Sequence, residues 1–228
     1  MPPEDHTLLS KSEIFAPLSE GDLRDLGRRV PDMGLAKGQL LYSPWHRGES
    51  CFVLLEGRMR IYRLRETREV TISVVQPGQL FGEAALAGLR QGSYAQALES
   101  ARVAILGRKT LRALVTDRPQ VGVKVMELLA WRLNVHEDRL EEIGLLEIPA
   151  RLACLLVRRV EDEGVPRDGD SMIPTHYTHQ ILATMVGCER PALTRALGEL
   201  REEGAIWLSE RRIHVANLDI LKVYAERC

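Results

Sequence analysis

Thr178–Glu203 reads THQILATMVGCERPALTRALGELREE, and the fold of the chain hinges on how these residues are arranged. Leu182, Ala183 and Val186 fall on one side of a first helical period, while Leu193, Ala196, Leu197 and Leu200 follow at i, i+3, i+4 and i+7 on a second. Thr178 stands where an N-cap belongs, because its hydroxyl can accept a bond from a free backbone N–H of the first turn. Gly187 supplies the backbone freedom that a sharp helix-to-helix turn demands. Ala183 is small enough to sit where the two helices would cross, and Leu193 closes their core. This spacing predicts a helix-turn-helix. Its second helix opens with Arg190 and carries Arg195 further along, and a guanidinium offers a rigid two-donor fork to a guanine edge or a phosphate. An ordinary helical hairpin in a globular core would share the apolar pattern. The agreement of cap, turn, core and arginines favours DNA binding.

Immediately downstream, Ala205–Leu208 and Arg212–Ala216 alternate around Ser209-Glu210-Arg211, which reads as a small hairpin, a wing, with Arg211 and Arg212 at its tip. The chain has 228 residues, room for two modest domains with their own cores. With 31 basic and 32 acidic residues, a nucleic-acid binder must concentrate its cations on one surface. Arg190, Arg195, Arg201, Arg211 and Arg212 surround the proposed groove-facing element, whereas Glu161–Glu163 and Asp168–Asp170 lie outside it. Cys51, Cys154, Cys188 and Cys228 are far apart, which argues against a zinc ribbon or cysteine cluster. The opening MPPEDHT lacks the apolar core of a signal peptide, and no apolar run approaches bilayer-spanning length. A soluble cytoplasmic protein with reduced thiols is expected.

Upstream, residues 1–30 read as a short helical entry, with Ser19-Glu20-Gly21-Asp22 as a helix start and Leu23, Leu26 and Val30 on one side. From Gly34 to Gly107 the pattern becomes short strands between glycine turns, without intervening helices. Cys51–Leu55 and Arg58–Leu64 read as a hairpin about Glu56-Gly57. Val70–Val75 and Ala101–Leu106 are further strands. Such a run favours a closed or double-sheet β-barrel over a βαβ sheet, a pocket-forming architecture. Lys109–Val115 reads as a brief helix, and Pro119 starts a long one reaching about Leu146. Met126, Leu129, Leu133, His136, Leu140 and Ile143 follow the 3-4 spacing of one coiled-coil seam. The helix could lay that stripe on its own barrel. Its narrowness, with charged residues on the other faces, favours a homodimer. Glu147-Ile148-Pro149 marks a boundary. Ala150–Glu163 is an amphipathic helix with Leu152, Leu155, Leu156 and Val160 inward, and Gly164–Pro174 reads as a loop by composition.

A glycine-punctuated β-roll, a long helix and a winged helix-turn-helix resemble the cyclic AMP receptor protein/FNR (CRP/FNR) family of bacterial transcription regulators. The resemblance covers essentially the whole chain. PGQLFGEAALAG (Pro77–Gly88) is similar to the family's phosphate-binding cassette, and VGCERPALTRAL (Val186–Leu197) to its recognition element. The implied fold is α+β: a jelly-roll-like, cyclic-nucleotide-binding-like sensor over residues 1–118, a dimerisation helix over 119–146, and a winged helix-turn-helix over 147–228. The implied partners are double-stranded DNA with an inverted-repeat operator, a second copy of the chain, and RNA polymerase, with no membrane. Arg190 and Arg195 match the family's two arginines and are expected to read bases. Thr194, Arg211 and Arg212 are expected to position phosphate, with Thr178 and Glu189 completing the DNA-facing set. Family members of the cyclic AMP type carry a glutamate at the position of Pro191, and proline cannot make its bond to cytosine.

The cassette also departs from the family. In cyclic-AMP-binding members a Gly-Glu pair holds the ribose, and a later Arg-Ser or Arg-Thr pair neutralises the cyclic phosphate. Gly82-Glu83 is present, but the later pair is Ser93-Tyr94, so the fixed cation is missing; Arg90 lies just upstream. The long helix presents His136-Glu137 where members that bind the nucleotide present small hydroxyls, and a carboxylate repels an anionic nucleotide. The pocket reads as degenerate, with no cofactor expected and cyclic AMP disfavoured. Iron–sulfur sensing needs clustered thiolates, and Cys51 stands alone near the amino terminus. His46 and His136 are the candidate haem ligands, and a lone histidine at a helix seam is more often a packed residue. His176 and His179 lack a third ligand, so no metal is expected. The alternative function is a cyclic-nucleotide-responsive signalling module whose C-terminal domain docks protein. Exposed arginines rather than Tyr, Trp or Met on the helix and wing argue against it. No nucleophile–base pairing, metal spacing or phosphate loop of the Walker type suggests an enzyme.

Overall fold

The computed structural model describes residues 8–45, 47–167 and 169–226. By contact the chain divides into two compact units that meet between Leu133 and Asn134.

The first unit opens with a 3-10 turn at Glu13–Phe15 and helix α1 (Glu20–Arg29). A capping box starts α1: the Asp22 N–H donates to Ser19 Oγ at 3.2 Å, and the Ser19 N–H donates to Asp22 Oδ2 at 3.2 Å. Then come β1 (Asp32–Leu35), β2 (Leu40–Tyr42), β3 (Ser50–Glu56), β4 (Met59–Arg65), β5 (Arg68–Val75), β6 (Leu80–Phe81), α2 (Ala84–Ala87), β7 (Tyr94–Ala97), β8 (Ala101–Gly107) and α3 (Arg108–Asp117). Helix α4 (Pro119–Leu145) follows. The strands form two antiparallel sheets, ordered β1-β8-β3-β6 and β2-β7-β4-β5. Leu54, Met59, Phe81, Ala95 and Val103 belong to one core, while Val53, Leu55 and Leu106 share a second with Phe15, Leu23, Leu26, Leu111 and Val125. Strand β3 is thus apolar on both faces because both faces are covered.

This double coverage overturns the hairpin expected at Glu56-Gly57. Strand β3 pairs with β6 and β8, and β4 pairs with β5 and β7. Gly57, at φ +79°, is the corner between the two sheets. A Cβ there would lie 2.3 Å from the Ser100 carbonyl oxygen and 2.8 Å from Ala101 Cα, so only glycine fits without a backbone shift. The hairpin is β4–β5, turning after Glu66, whose φ is +56°. The barrel region also contains a helix after all, the single turn α2.

The second unit holds the end of α4, then α5 (Ile148–Glu163), β9 (Val165–Arg167), β10 (Asp170–Ile173), α6 (His179–Val186), α7 (Arg190–Glu202), β11 (Ile206–Ser209), β12 (Arg212–Val215) and α8 (Leu218–Ala225). Glu147 is the extended N-cap of α5 and Pro149 lies in its first turn, so the helix breaks where the proline places it. Gly164–Pro174 is not a loop. It contains the hairpin β9–β10, and β10 also pairs with β12, which makes the wing part of a four-stranded sheet ordered β11-β12-β10-β9. These strands are short, they lie in a segment rich in Gly, Pro and Asp, and the pairing of β10 to β12 is remote in sequence, so local composition hides them.

Candidate nucleic-acid interface and effector pocket

Helices α6 and α7 form the expected helix-turn-helix. The Ile181 N–H donates to Thr178 Oγ1 at 3.2 Å, the cap read from sequence. Gly187 ends α6 at φ +76°, with its N–H and that of Cys188 both donating to the Ala183 carbonyl, at 2.9 and 3.0 Å. Leu182, Ala183, Val186, Leu193, Ala196, Leu197 and Leu200 are buried, and they form the shared core. Glu189 caps α7 in an extended conformation, and Pro191 occupies the first turn, where a missing N–H costs no helical bond.

Two further guanidiniums serve the end of α6. Arg139 Nη2 of α4 donates to the Met185 carbonyl at 2.6 Å, and Arg151 Nη1 of α5 to the Val186 carbonyl at 3.4 Å. Cations belong at a helix C-terminus, where unpaired carbonyls and the macrodipole are negative. Burial holds the pKa of Arg139 below its ordinary value. Neither residue carries a signal in the sequence, because each points from a different helix.

The remaining face of α7 is open. Glu189, Arg190, Thr194 and Arg195 are exposed, and Thr194 Oγ1 donates to the Arg190 carbonyl at 3.0 Å and lies 3.2 Å from His179 Nδ1. His179 is thus a hydrogen-bonding neighbour of the reading helix. Among the described residues no group of three His, Cys, Asp or Glu could hold a metal ion. In the wing, Glu210 and Arg211 both take positive φ, +49° and +62°, as a two-residue turn of type I′ requires. Arg211 is exposed at the tip. Arg212 differs: it is half-buried, with Nη1 3.7 Å from Met172 Sδ.

In the β-roll, Glu83 of the cassette is ion-paired with Arg132 of α4, and a second Arg132 nitrogen donates to the Leu80 carbonyl. Burial pushes the Arg132 pKa down to about 10. Gln91 Nε2 donates to the carbonyl of Gly82 at 3.2 Å and is buried beside it. Tyr42, Phe52 and Phe81 pack ring on ring, at 5.6 and 5.5 Å. Burial drives the Tyr42 hydroxyl up to about 12, and Ser93 hydrogen-bonds it. Strand alternation separates the Ser93-Tyr94 pair. Ala95 is in the core between the sheets, so Tyr94 faces outward, stacked on Tyr62 at 5.0 Å with Arg60 4.0 Å over the Tyr62 ring. Arg90 is exposed, in a backbone bridge to Arg47. His136 and Glu137 are exposed on α4, beyond the division between the units. His46 lies outside the described residues.

Sequence reasoning missed Arg132. The signal was present: Val121, Val125, Leu128 and Arg132 recur at i, i+4, i+7 and i+11, a second stripe on α4. Val121 and Val125 are buried in the β-roll core and Leu128 packs against it. Val125, Leu128 and Arg132 each immediately precede a seam residue, one helical step of about 100° away.

The cyclic nucleotide-binding domain family matches residues 33–118, and the Crp-like helix-turn-helix domain family matches residues 150–224. A CRP-like cAMP-activated global transcriptional regulator of Mycobacterium tuberculosis is 22% identical over 217 residues, covering 94% of this chain and 96% of that protein. The Cyclic AMP receptor protein of Thermus thermophilus is 28% identical over 192 residues, covering 83% and 85%. The fold resembles that of FixK2 from Bradyrhizobium japonicum, with a TM-score of 0.78, 20% identity, and 87% and 98% of the two chains covered. A β-roll of the nucleotide-binding type followed by a winged helix-turn-helix defines a DNA-binding transcription regulator. The chain belongs to the CRP/FNR family. Among the described residues no helix is long and apolar enough to cross a membrane.

Proposed function

We propose that the protein is a homodimeric, sequence-specific activator that reads an inverted-repeat operator without needing cyclic AMP. The observation that carries the DNA reading is the joint exposure of Arg190, Thr194 and Arg195 on α7, whose opposite stripe is wholly buried. A helix anchored on one side and basic on the other suits a major groove. Arg190 and Arg195 are assigned to base edges, Thr194, Arg211 and Arg212 to phosphate, and Thr178 and Glu189 to the flanks of the reading helix.

Dimerisation rests on the seam. Met126, Leu129, Leu133, Leu140 and Ile143 are between 39% and 71% exposed, and His136 is exposed among them. A separate stripe of α4 already serves the β-roll, so this one has no role within the chain's own core. Apolar surface at coiled-coil spacing is stabilised by a second copy of itself. Two copies would present α7 to successive major grooves about 34 Å apart. Activation then requires contact with RNA polymerase, and the whole task belongs to the cytoplasm.

Independence from cyclic AMP is supported by the pairing of Glu83. The carboxylate that would hold a ribose is already ion-paired with a half-buried cation, and Ser93 stands where a phosphate would need one. These residues do not fit the nucleotide. Selection of binding sites from random duplex DNA tests the reading. An inverted repeat with a guanine in each half-site is expected, and recovery of unselected sequence would overturn it.

A further inference from the structure

One face of α3 is a continuous stripe. Arg108, Leu111, Arg112, Val115 and Thr116 recur at i, i+3, i+4, i+7 and i+8, and together with Leu86 of α2 they line one cleft of about 300 Å³. Leu111 is buried in the β-roll core, and Leu86 and Val115 pack against that core. The Thr116 hydroxyl donates to the Arg112 carbonyl at 3.0 Å, so it is engaged within the helix. Apolar side chains thus form the walls, the charged groups are two guanidiniums, and no carboxylate is among the lining residues. Neither Tyr42, Glu83, Ser93 nor Arg132 lines this cleft, which separates it from the pocket of the nucleotide-binding type.

The two cations have no counter-charge. Arg108 and Arg112 are one helical turn apart, and among the described residues neither is ion-paired. Arg108 is seated rather than paired. A Cβ at Gly88, the left-handed end of α2 at φ +69°, would lie 2.5 Å from Arg108 Nη1 and 3.0 Å from its Cζ, so the bare glycine leaves room for the guanidinium. Arg108 Nε is buried and has no hydrogen-bond partner among the described residues. A buried donor without a partner is costly, and like charges one turn apart repel. An anion in the cleft offsets that repulsion, and the apolar walls favour one that carries a hydrocarbon part.

We propose that this cleft between α2 and α3 binds a small amphipathic carboxylate. Its hydrocarbon part lies against Leu86, Leu111 and Val115, and its charged end is shared by Arg108 and Arg112. A carboxylate offers two oxygens, one for each guanidinium. A cleft of this volume, with mostly apolar walls and a few charged groups, has the make-up of a small-molecule site. A purely ionic ligand would leave the apolar walls wet, and a neutral one would leave both cations unpaired. The site lies wholly within the first unit and depends neither on the pairing of Glu83 nor on base reading by α7.

The test is the methyl NMR signals of Leu86, Leu111 and Val115 in the full chain. The protein is titrated at neutral pH with sodium hexanoate, hexanol, sodium acetate and sodium chloride, at matched ionic strength. Saturable shifts are expected with hexanoate, at an affinity about tenfold or more above those of hexanol and acetate, since each of these lacks one half of the match. Arg112→Gln, at an exposed position, should weaken hexanoate about tenfold, the loss of one charge-assisted contact, and leave hexanol unchanged. Arg108→Gln should act alike; should it fold poorly, Arg108→Lys, which keeps the charge but loses the fork, serves instead. No saturable shift with hexanoate, equal affinity for hexanol, shifts reproduced by acetate or chloride, or hexanoate binding that Arg112→Gln leaves intact would overturn the proposal.

Discussion

Arg132 of the long helix α4 is ion-paired with Glu83 of the β-roll cassette, within one compact unit of the protein. The Glu83 side chain is 32% exposed and that of Arg132 19% exposed, so the pair is partly withdrawn from water. Removing one member leaves the other charge in a site that solvates it poorly. Arg132→Met or Glu83→Met alone should therefore cost about 2 kcal/mol, below the full range for a deeply buried pair. The double substitution should be less destabilising than the two single losses combined. Urea denaturation of the four proteins measures the coupling, and strictly additive losses would show that the pair contributes nothing.

The stripe at Leu133 is expected to be buried only by a second copy. In the single chain Leu133 is 59% exposed, so Leu133→Asp should barely change the folded monomer. In a dimer it buries an unpaired charge and costs several kcal/mol, about 3 or more. Analytical ultracentrifugation should show a dimer for the wild type and a monomer for the variant at micromolar concentration. A wild type that sediments as a monomer there removes the seam.

Thr178 caps α6 through a single 3.2 Å bond. Thr178→Ala should lower stability by about 1 kcal/mol, and Thr178→Ser should restore most of it. Thermal unfolding followed by circular dichroism is sufficient to read this.

Arg190 and Arg195 are five residues apart on α7, and so project about 140° apart around its axis. One can face the groove floor while the other leans to a wall. Arg190→Ala or Arg195→Ala should each cost about 1–3 kcal/mol on the selected operator and relax preference at one base position. Arg211→Ala at the wing tip should weaken all sequences alike and lower the salt slope by about one. Binding isotherms over a range of salt, on operator and scrambled duplexes, separate the two behaviours. If neither helix substitution alters base preference, α7 is a backbone anchor only.

What the sequence disclosed follows the range of the interactions involved. The cap at Thr178, the turn at Gly187 and the stripe from Leu193 to Leu200 are local, and the structure has them all. The sheet-switching corner at Gly57 looked like a hairpin because a Glu-Gly dipeptide reads alike in both. Only the burial of β3 on two faces tells them apart. The β9–β10 hairpin was hidden because its strands are short and one of its partners, β12, lies far along the chain. Arg132 is hidden on α4 because its stripe runs one residue ahead of the apolar seam and ends in a cation where a core stripe would carry an apolar residue. Arg139 and Arg151 could not be read at all. Their partners are backbone carbonyls, which leave no trace in residue identity.

Under the proposed function, this regulator binds its operator without needing cyclic AMP. Fluorescence anisotropy of the selected operator, titrated with wild-type protein at fixed salt with and without cyclic AMP, tests it most directly. Equal affinity is predicted, because a ligand with no differential affinity for the competent state shifts no equilibrium. A tightening of tenfold or more, about 1.4 kcal/mol, would contradict it and would require Arg132 to release Glu83.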